Sequence, residues 1–352
     1  MEELNNMKTS RRYSDKLIYT VSELMALGDI TPKYLLEPIL PQIGCAVLVG
    51  KPDTGKSQFA RQFCIQITLE DDCFLGFKLN PVTSKALYVA TEDDLDSIKF
   101  LASRQFGGIG KDYNDNLKFI FADTLDQKEI RNTLEAEMTK EQVDLVVVDS
   151  FGDIFNGIDS NNNMAMRNTV KSFDILAKKY DCLILFIHHI NKKGYGASPS
   201  QHHIQGGSGL AQKVRSAIQL SEGDGQIRHL TVVKGNYCPK KFKSNSIELV
   251  FSEETFLFST TGRQIPTSQI GKHHKGSKSE NNFNQKIQTM EIIMVGDPLR
   301  HTDLVKLYCN ETKKSESTAI RVINDLLEEG VLIRNDSGEY SLKDKNLIEN
   351  KD

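Results

Sequence analysis

Eight consecutive residues, Gly50-Lys51-Pro52-Asp53-Thr54-Gly55-Lys56-Ser57, carry the spacing G-x-x-x-x-G-K-[ST]. A glycine turn of this kind between a strand and a helix aims successive backbone N–H groups at one point, where a β-phosphate can sit. Pro52 has no N–H, so Asp53, Thr54, Gly55, Lys56 and Ser57 must supply the donors. Lys56 would reach the β- and γ-phosphates, and the Ser57 hydroxyl would hold Mg²⁺. Gly50 closes the turn on the strand side. The chemistry implied is binding of a nucleoside triphosphate, with ATP and Mg²⁺ as the expected ligands.

Binding alone is not hydrolysis, which also needs a metal-shell carboxylate, a base for the attacking water and a group facing the γ-phosphate. The apolar run Leu145-Val146-Val147-Val148 ends in Asp149, the candidate second magnesium ligand. Serine follows it at position 150, so the base must come from another strand. Ala86-Leu87-Tyr88-Val89-Ala90-Thr91 leads to Glu92, a carboxylate placed to take a proton from water. Its neighbours Asp93 and Asp94 are candidates to cap the helix starting at Leu95. A third apolar run ends in His188-His189, with His189 expected in catalysis and His188 as a phosphate sensor. The same histidines with His202 and His203 could instead ligate a metal, but no cysteine or carboxylate spacing supports zinc.

These groups need strands that end together. Short apolar runs alternate with helical patterns from about residue 33 to 261, the expectation for βαβ units around a parallel sheet. Strands are expected at Cys45–Val49, Ala86–Thr91, Leu117–Phe121, Leu145–Asp149 and Cys182–His188. The alternating runs Ile218–Leu220, His229–Val233 and Ile247–Phe251 predict antiparallel strands or hairpins at an edge. The fold class is therefore α/β with a central, mostly parallel sheet.

At 352 residues, 39% hydrophobic and 26% charged, the chain is long enough for two domains with buried cores. A net charge of −3 speaks against a globally basic nucleic-acid binder, so DNA contacts would come from local patches. Six scattered cysteines without CxxC spacing suit reduced thiols. The polar start and the lack of a long apolar stretch predict a cytoplasmic protein with no membrane partner.

Residues 1–32 read as a tail with one short helix, and 262–286 as a flexible linker bearing five cations against one acid. From 287 to 345 the pattern is three helices and a β-hairpin, which resembles a winged helix-turn-helix. Thr302 is the expected N-cap of the second helix. The third spans Ser315 to Glu329 with Ile320, Ile323, Leu326 and Leu327 on one face, and would expose Lys313, Lys314, Ser317, Arg321 and Asn324 to duplex DNA or, as in other modules of this kind, to a docked protein.

The order of Gly50–Ser57, Glu92, Asp149, His188-His189, Lys192-Lys193 and Gly206-Gly207-Ser208-Gly209 resembles the RecA-like ATPases of the plasmid RepA-type hexameric helicases, relatives of the DnaB replicative helicases. The resemblance covers roughly residues 33 to 240. It implies a homo-oligomeric ring such as a hexamer, with ATP at subunit interfaces and a finger residue from the neighbour. It also implies two channel loops for single-stranded DNA, at Gly152–Asn163 and Asn191–Gln205. The second holds Lys192, Lys193 and Tyr195, cations and an aromatic suited to a strand's phosphates and bases. The sequence departs from the group at the finger, where Lys234-Gly235-Asn236 has asparagine in place of arginine. Lys234 and Arg215 are the remaining finger candidates. Two functions follow as expectations: a helicase or replication protein of a plasmid or mobile element, or a KaiC-like ATP switch that docks proteins without translocating.

Overall fold

A computed structural model describes residues 18–28, 31–155, 163–206, 208–271, 286–294, 298–328, 330–335 and 337–342. The chain divides into two compact units. The larger runs to Tyr195 and resumes over Pro199–Thr267; the smaller takes Gly196–Ser198 and everything from Ser268. No helix among the described residues is long and apolar enough to cross a membrane.

The larger unit begins with a short helix, Val21–Met25 (α1), closed by a capping box between Thr20 and Glu23. Tyr34–Glu37 (β1) and Leu40–Pro41 (β2) precede Gly44–Gly50 (β3), whose end turns into Lys56–Thr68 (α2). Cys73–Phe74 (β4) and Phe77–Leu79 (β5) lead to Ala86–Ala90 (β6), Leu95–Ile109 (α3) and Leu117–Phe121 (β7). Then come Gln127–Lys140 (α4), Leu145–Asp149 (β8), Asn163–Lys179 (α5), Leu183–His189 (β9) and Ser208–Lys213 (α6). The unit closes with Ser216–Glu222 (β10), Ile227–Gly235 (β11), Lys241–Ser244 (α7), Asn245–Phe251 (β12) and Phe258–Pro266 (β13).

Nine strands form one sheet in the order β13-β12-β11-β10-β3-β9-β8-β6-β7. From β10 to β7 every pairing is parallel, and β10 to β13 are joined antiparallel. The sequence pattern dictates this division, because a parallel strand is covered on both faces and must be apolar throughout. In β3, Ala46 and Leu48 enter one core while Cys45, Val47 and Val49 enter the other. The same parity sends Leu145 and Val147 to the first face and Val146 and Val148 to the second. Helices α2 and α3 cover the first face and α4, α5 and α6 the second.

A small antiparallel sheet, β2-β1-β5-β4, was not expected from the sequence. Its strands are two to four residues long, too short for a period-2 pattern to register. It braces the phosphate-loop helix: the Phe59 and Phe63 rings of α2 lie 5.1 and 5.0 Å from Phe74. Each such buried ring is worth about 2–3 kcal/mol. At the other end of the unit, β13 runs on to Pro266, past the expected boundary at 261. The remainder of the anticipated linker, 272–285, lies outside the described residues.

The smaller unit contains a helix over 286–293 (α8), Leu299–Arg300 (β14), His301–Thr312 (α9), Glu316–Glu328 (α10), Leu332–Arg334 (β15) and Glu339–Leu342 (β16). Its strands pair antiparallel in the order β14-β16-β15. Two local expectations are corrected. The N-cap of α9 is Arg300, with no side-chain bond, and Thr302 already lies inside the helix. The buried stripe of α10 is Ala319, Val322, Ile323 and Leu326, while Ile320 is exposed, because the helix is rotated by one position toward its small residue.

Candidate functional site

Sheet order brings the expected groups together. The strands β3, β9, β8 and β6 are consecutive neighbours, and their C-terminal ends carry the phosphate loop, His189, Asp149 and Glu92. Register sharpens this: Gly50 pairs with His189 and Ala90 with Asp149.

The loop itself is held shut on its own carbonyl. Lys56 donates to Lys51 O at 2.6 Å, and the Thr54 hydroxyl donates to the same oxygen at 3.0 Å. Gly50 has no room for a side chain, since a Cβ would come within 2.6 Å of Leu220 O and 2.7 Å of Thr54 Oγ1. Gly55, at φ +91°, takes a left-handed conformation, and a Cβ there would strike the Phe258 ring. Asp53 is exposed at the loop's crest. Burial lowers the Lys56 pKa, opposed by Asp149, Asp53, Glu92 and Glu222.

Asp149 is buried and faces α2, on the parity of Leu145 and Val147. Tyr88 donates its hydroxyl to Asp149 Oδ2 at 2.5 Å, and the Ser57 hydroxyl also bonds this carboxylate. Burial raises the Asp149 pKa, while Tyr88, Ser57 and Arg61 pull it down. Ser57 and Asp149 thus stand side by side as a hard oxygen pair, a donor set that fits a partly hydrated Mg²⁺. Among the described residues, no group of three or more His, Cys, Asp or Glu is placed to hold a metal by itself.

Glu92 remains open to solvent, yet partial desolvation, then the charges of Asp153 and Asp149, raise its pKa. Asp153 is a member of the site that the motifs did not reveal. Its Oδ2 accepts from Thr91 Oγ1 at 2.6 Å and Ser150 Oγ at 2.7 Å, and it hydrogen-bonds Glu92. Asp94, not Asp93, caps α3, accepting from Ser97 N at 2.8 Å. Asp93 instead pairs with Arg61 at 3.3 Å.

The two histidines part company by strand parity. His189 lies on the α2 face, bonds the Gly50 backbone, and has its pKa lowered by burial and by Lys56. His188 points to the other face, packed 5.4 Å from the Phe151 ring. Its Nε2 shares a hydrogen bond with Gln205 O at 3.2 Å, and burial pushes its pKa down to about 4.

Gln205 ends the segment Asn191–Gln205, which is pinned as a closed loop. Asn191 N donates to His203 O at 2.7 Å and Gln205 N to His189 O at 3.0 Å. Lys192 and Lys193 are exposed in a 3₁₀ turn capped by Asn191. The Tyr195 ring lies 5.5 Å from the Lys51 ammonium, which also pairs with Glu222 at 2.9 Å. The other loop, Gly152–Asn163, falls mostly outside the described residues.

The finger candidates lie elsewhere. Arg215 N bonds Cys45 O at the start of β3, whereas the phosphate loop is at its end, roughly 20 Å away at strand rise. It lines a cavity of about 710 Å³ with Lys33, Lys178 and Tyr237. Arg215 therefore cannot complete its own chain's site. Lys234, the other candidate, is engaged within the chain: its ammonium donates to Ala211 O, Gln212 O and Val214 O at 2.7, 3.2 and 2.7 Å, at the C-terminal end of α6. In the smaller unit, Lys313, Lys314 and Arg321 are all exposed, at the end of α9 and on α10.

Sequence reasoning also passed over Tyr88, Arg61 and Arg228. Tyr88 shares the inward parity of Ala86 and Ala90, so a polar tip there was a signal. Arg61 interrupts the apolar stripe of α2. Arg228, whose Nε lies 3.4 Å from Thr54 O, sits in a hairpin with no motif to mark it.

A family model described as AAA domain matches residues 18–195, from α1 through Tyr195. A UPF0273 protein of Thermotoga maritima is 24% identical over 204 residues, covering 55% of this chain and 78% of the relative.

Proposed function

The chain belongs to the AAA domain family, and from that membership we propose a DNA-acting ATPase, a helicase or replication protein of a plasmid or mobile element. ATP hydrolysis follows from the domain itself. The loop donors and Lys56 hold the phosphates, trading the present Lys56–Lys51 bond for phosphate oxygens. Ser57 and Asp149 would hold Mg²⁺, which would offset charge on the phosphates. Glu92, with its raised pKa, accepts the proton of the attacking water. His189, beside Gly50, donates toward the γ-phosphate.

The observation that carries the DNA reading is the His188–Gln205 hydrogen bond. It joins the strand that ends in the site to the loop bearing Lys192, Lys193 and Tyr195. A change at the phosphates felt by His189 would pass along β9, and through Gln205 N bonded to His189 O, to a cationic, aromatic surface of the kind that grips single strands. The ring of Tyr195 beside Lys51 supplies a second link. Arg215 at the opposite strand end would serve as a finger only in the site of a second copy, as a homo-oligomeric ring requires. The smaller unit, with its helices and three-stranded sheet, reads as a winged helix with Lys313, Lys314 and Arg321 for duplex DNA.

The engagement of Lys234 and the asparagine at 236 favour a second reading, an ATP switch that docks proteins without translocating. ATP turnover with and without single-stranded DNA separates the two. Stimulation that disappears in Lys56→Ala supports the motor; a rate indifferent to DNA leaves the switch.

A further inference from the structure

Arg61 is fully buried in α2, one helical turn beyond Ser57, among Phe59, Ala60, Phe63 and Cys64. A guanidinium in such a setting is costly unless fully paired, and an apolar residue of like volume would serve the core at least as well. This one is not fully paired. Nη2 reaches Asp93 Oδ2 at 3.3 Å, while Nε and Nη1 have no hydrogen-bond partner among the described residues. Its Cζ lies over the Tyr88 ring, 5.5 Å from the centroid. Tyr88 is also fully buried, and its hydroxyl donates to Asp149 Oδ2 at 2.5 Å.

These contacts converge on one strand. Tyr88 lies within β6, and Asp93 follows directly after Glu92 beyond its end. Arg61 grips both, from the same helix whose first turn carries Lys56 and Ser57. Removing the charge would free the strand end that holds Glu92 and the phenol that fixes one oxygen of Asp149.

We propose that Arg61 is a positioning residue that, through Tyr88 and Asp93, locks the Asp149 carboxylate and the Glu92 strand end in register with the phosphate-loop helix. The proposal rests on the ATPase reading above. Fixing Oδ2 of Asp149 against Tyr88 sets the orientation of a carboxylate that, with Ser57, would hold Mg²⁺. Groups behind a metal ligand commonly change metal affinity or activity about 10–100-fold when altered.

The test compares wild type with Arg61→Met, Arg61→Lys, Tyr88→Phe and Asp93→Asn. Two readouts are the Mg²⁺ concentration for half-maximal turnover and the affinity for a fluorescent ATP analogue with and without Mg²⁺. Arg61→Met and Tyr88→Phe should each raise the half-saturating Mg²⁺ about tenfold or more while leaving metal-free nucleotide affinity unchanged. Arg61→Lys, which keeps the charge, should recover part of the loss, and Asp93→Asn should lower kcat more than it shifts Mg²⁺ dependence. Tyr88→Phe keeps the buried ring and guards against a variant that merely misfolds. Wild-type Mg²⁺ dependence and kcat in both Arg61→Met and Tyr88→Phe overturn the proposal. If wild type itself releases no phosphate, the ATPase reading fails; the Mg²⁺-dependent gain in nucleotide affinity still decides the role of Arg61.

Discussion

Gly50 and His189 are paired residues on adjacent parallel strands, and Ile190 N donates back to Gly50 O at 3.2 Å. The first glycine of the phosphate loop and the histidine are therefore one rigid unit. Strand β9 also separates β3 from β8, so His189 stands between the phosphate loop and the metal carboxylate, with two strand spacings, roughly 10 Å, to span.

That packing leaves no space at the loop's first residue. Gly50→Ala places a Cβ against the Leu220 carbonyl, which is backbone and cannot move aside as a side chain could. Nucleotide affinity should fall by tenfold or more, about 1.4 kcal/mol at least. Equilibrium binding of a fluorescent ATP analogue measures it; the fold, read by circular dichroism, should persist.

His188 gives the protein an acid-sensitive stability. Its folded pKa of about 4 lies below the ordinary 6.5, so the unfolded chain binds the proton first. The contribution is complete above about pH 6.5 and is lost as pH falls toward 4, by roughly 3 kcal/mol in total. Urea midpoints at pH 7.5 and 5 should differ in wild type, and His188→Gln should flatten that difference.

The two finger candidates should respond in opposite ways. Lys234→Met strips three carbonyls at the end of α6 of their donor and should cost about 1–3 kcal/mol of stability. Arg215→Ala, at the rim of an open cavity, should spare stability but reduce turnover. Thermal melts and phosphate release, measured on both variants, distinguish a cap from a finger.

In the smaller unit, reversing Lys313, Lys314 and Arg321 to glutamate should weaken duplex DNA binding and lower its salt dependence. Each DNA phosphate that is no longer neutralised reduces the slope of log affinity against log salt by about 1. Unchanged affinity and slope would make the unit a protein-docking module.

Much of the larger unit was legible because its chemistry is tied to strand ends. A run such as Leu145–Val148, short and β-branched, reads as a strand buried on both faces, and the polar residue that ends it lies at the C-terminal end of the sheet. Parallel order then collects Gly50, His189, Asp149 and Glu92 without further information. The groups that hold them were not legible. Tyr88, Arg61 and Asp153 act across elements, through contacts between residues 27 to 62 positions apart or through a turn with no pattern of its own. The partners of Lys234 are backbone carbonyls, which no side-chain pattern reveals. The tiny sheet of β1, β2, β4 and β5 is set by packing against α2 rather than by its own periodicity.

Phosphate release by wild type and Glu92→Gln, measured beside ATP binding on the same preparations, tests the site most directly. Both proteins should bind MgATP with similar affinity. Wild type should turn it over, while the Glu92→Gln rate should fall by about 100-fold or more, the scale of a lost general base. Equal turnover in the two proteins would remove Glu92 from the mechanism and contradict the arrangement of strand ends proposed as the catalytic centre.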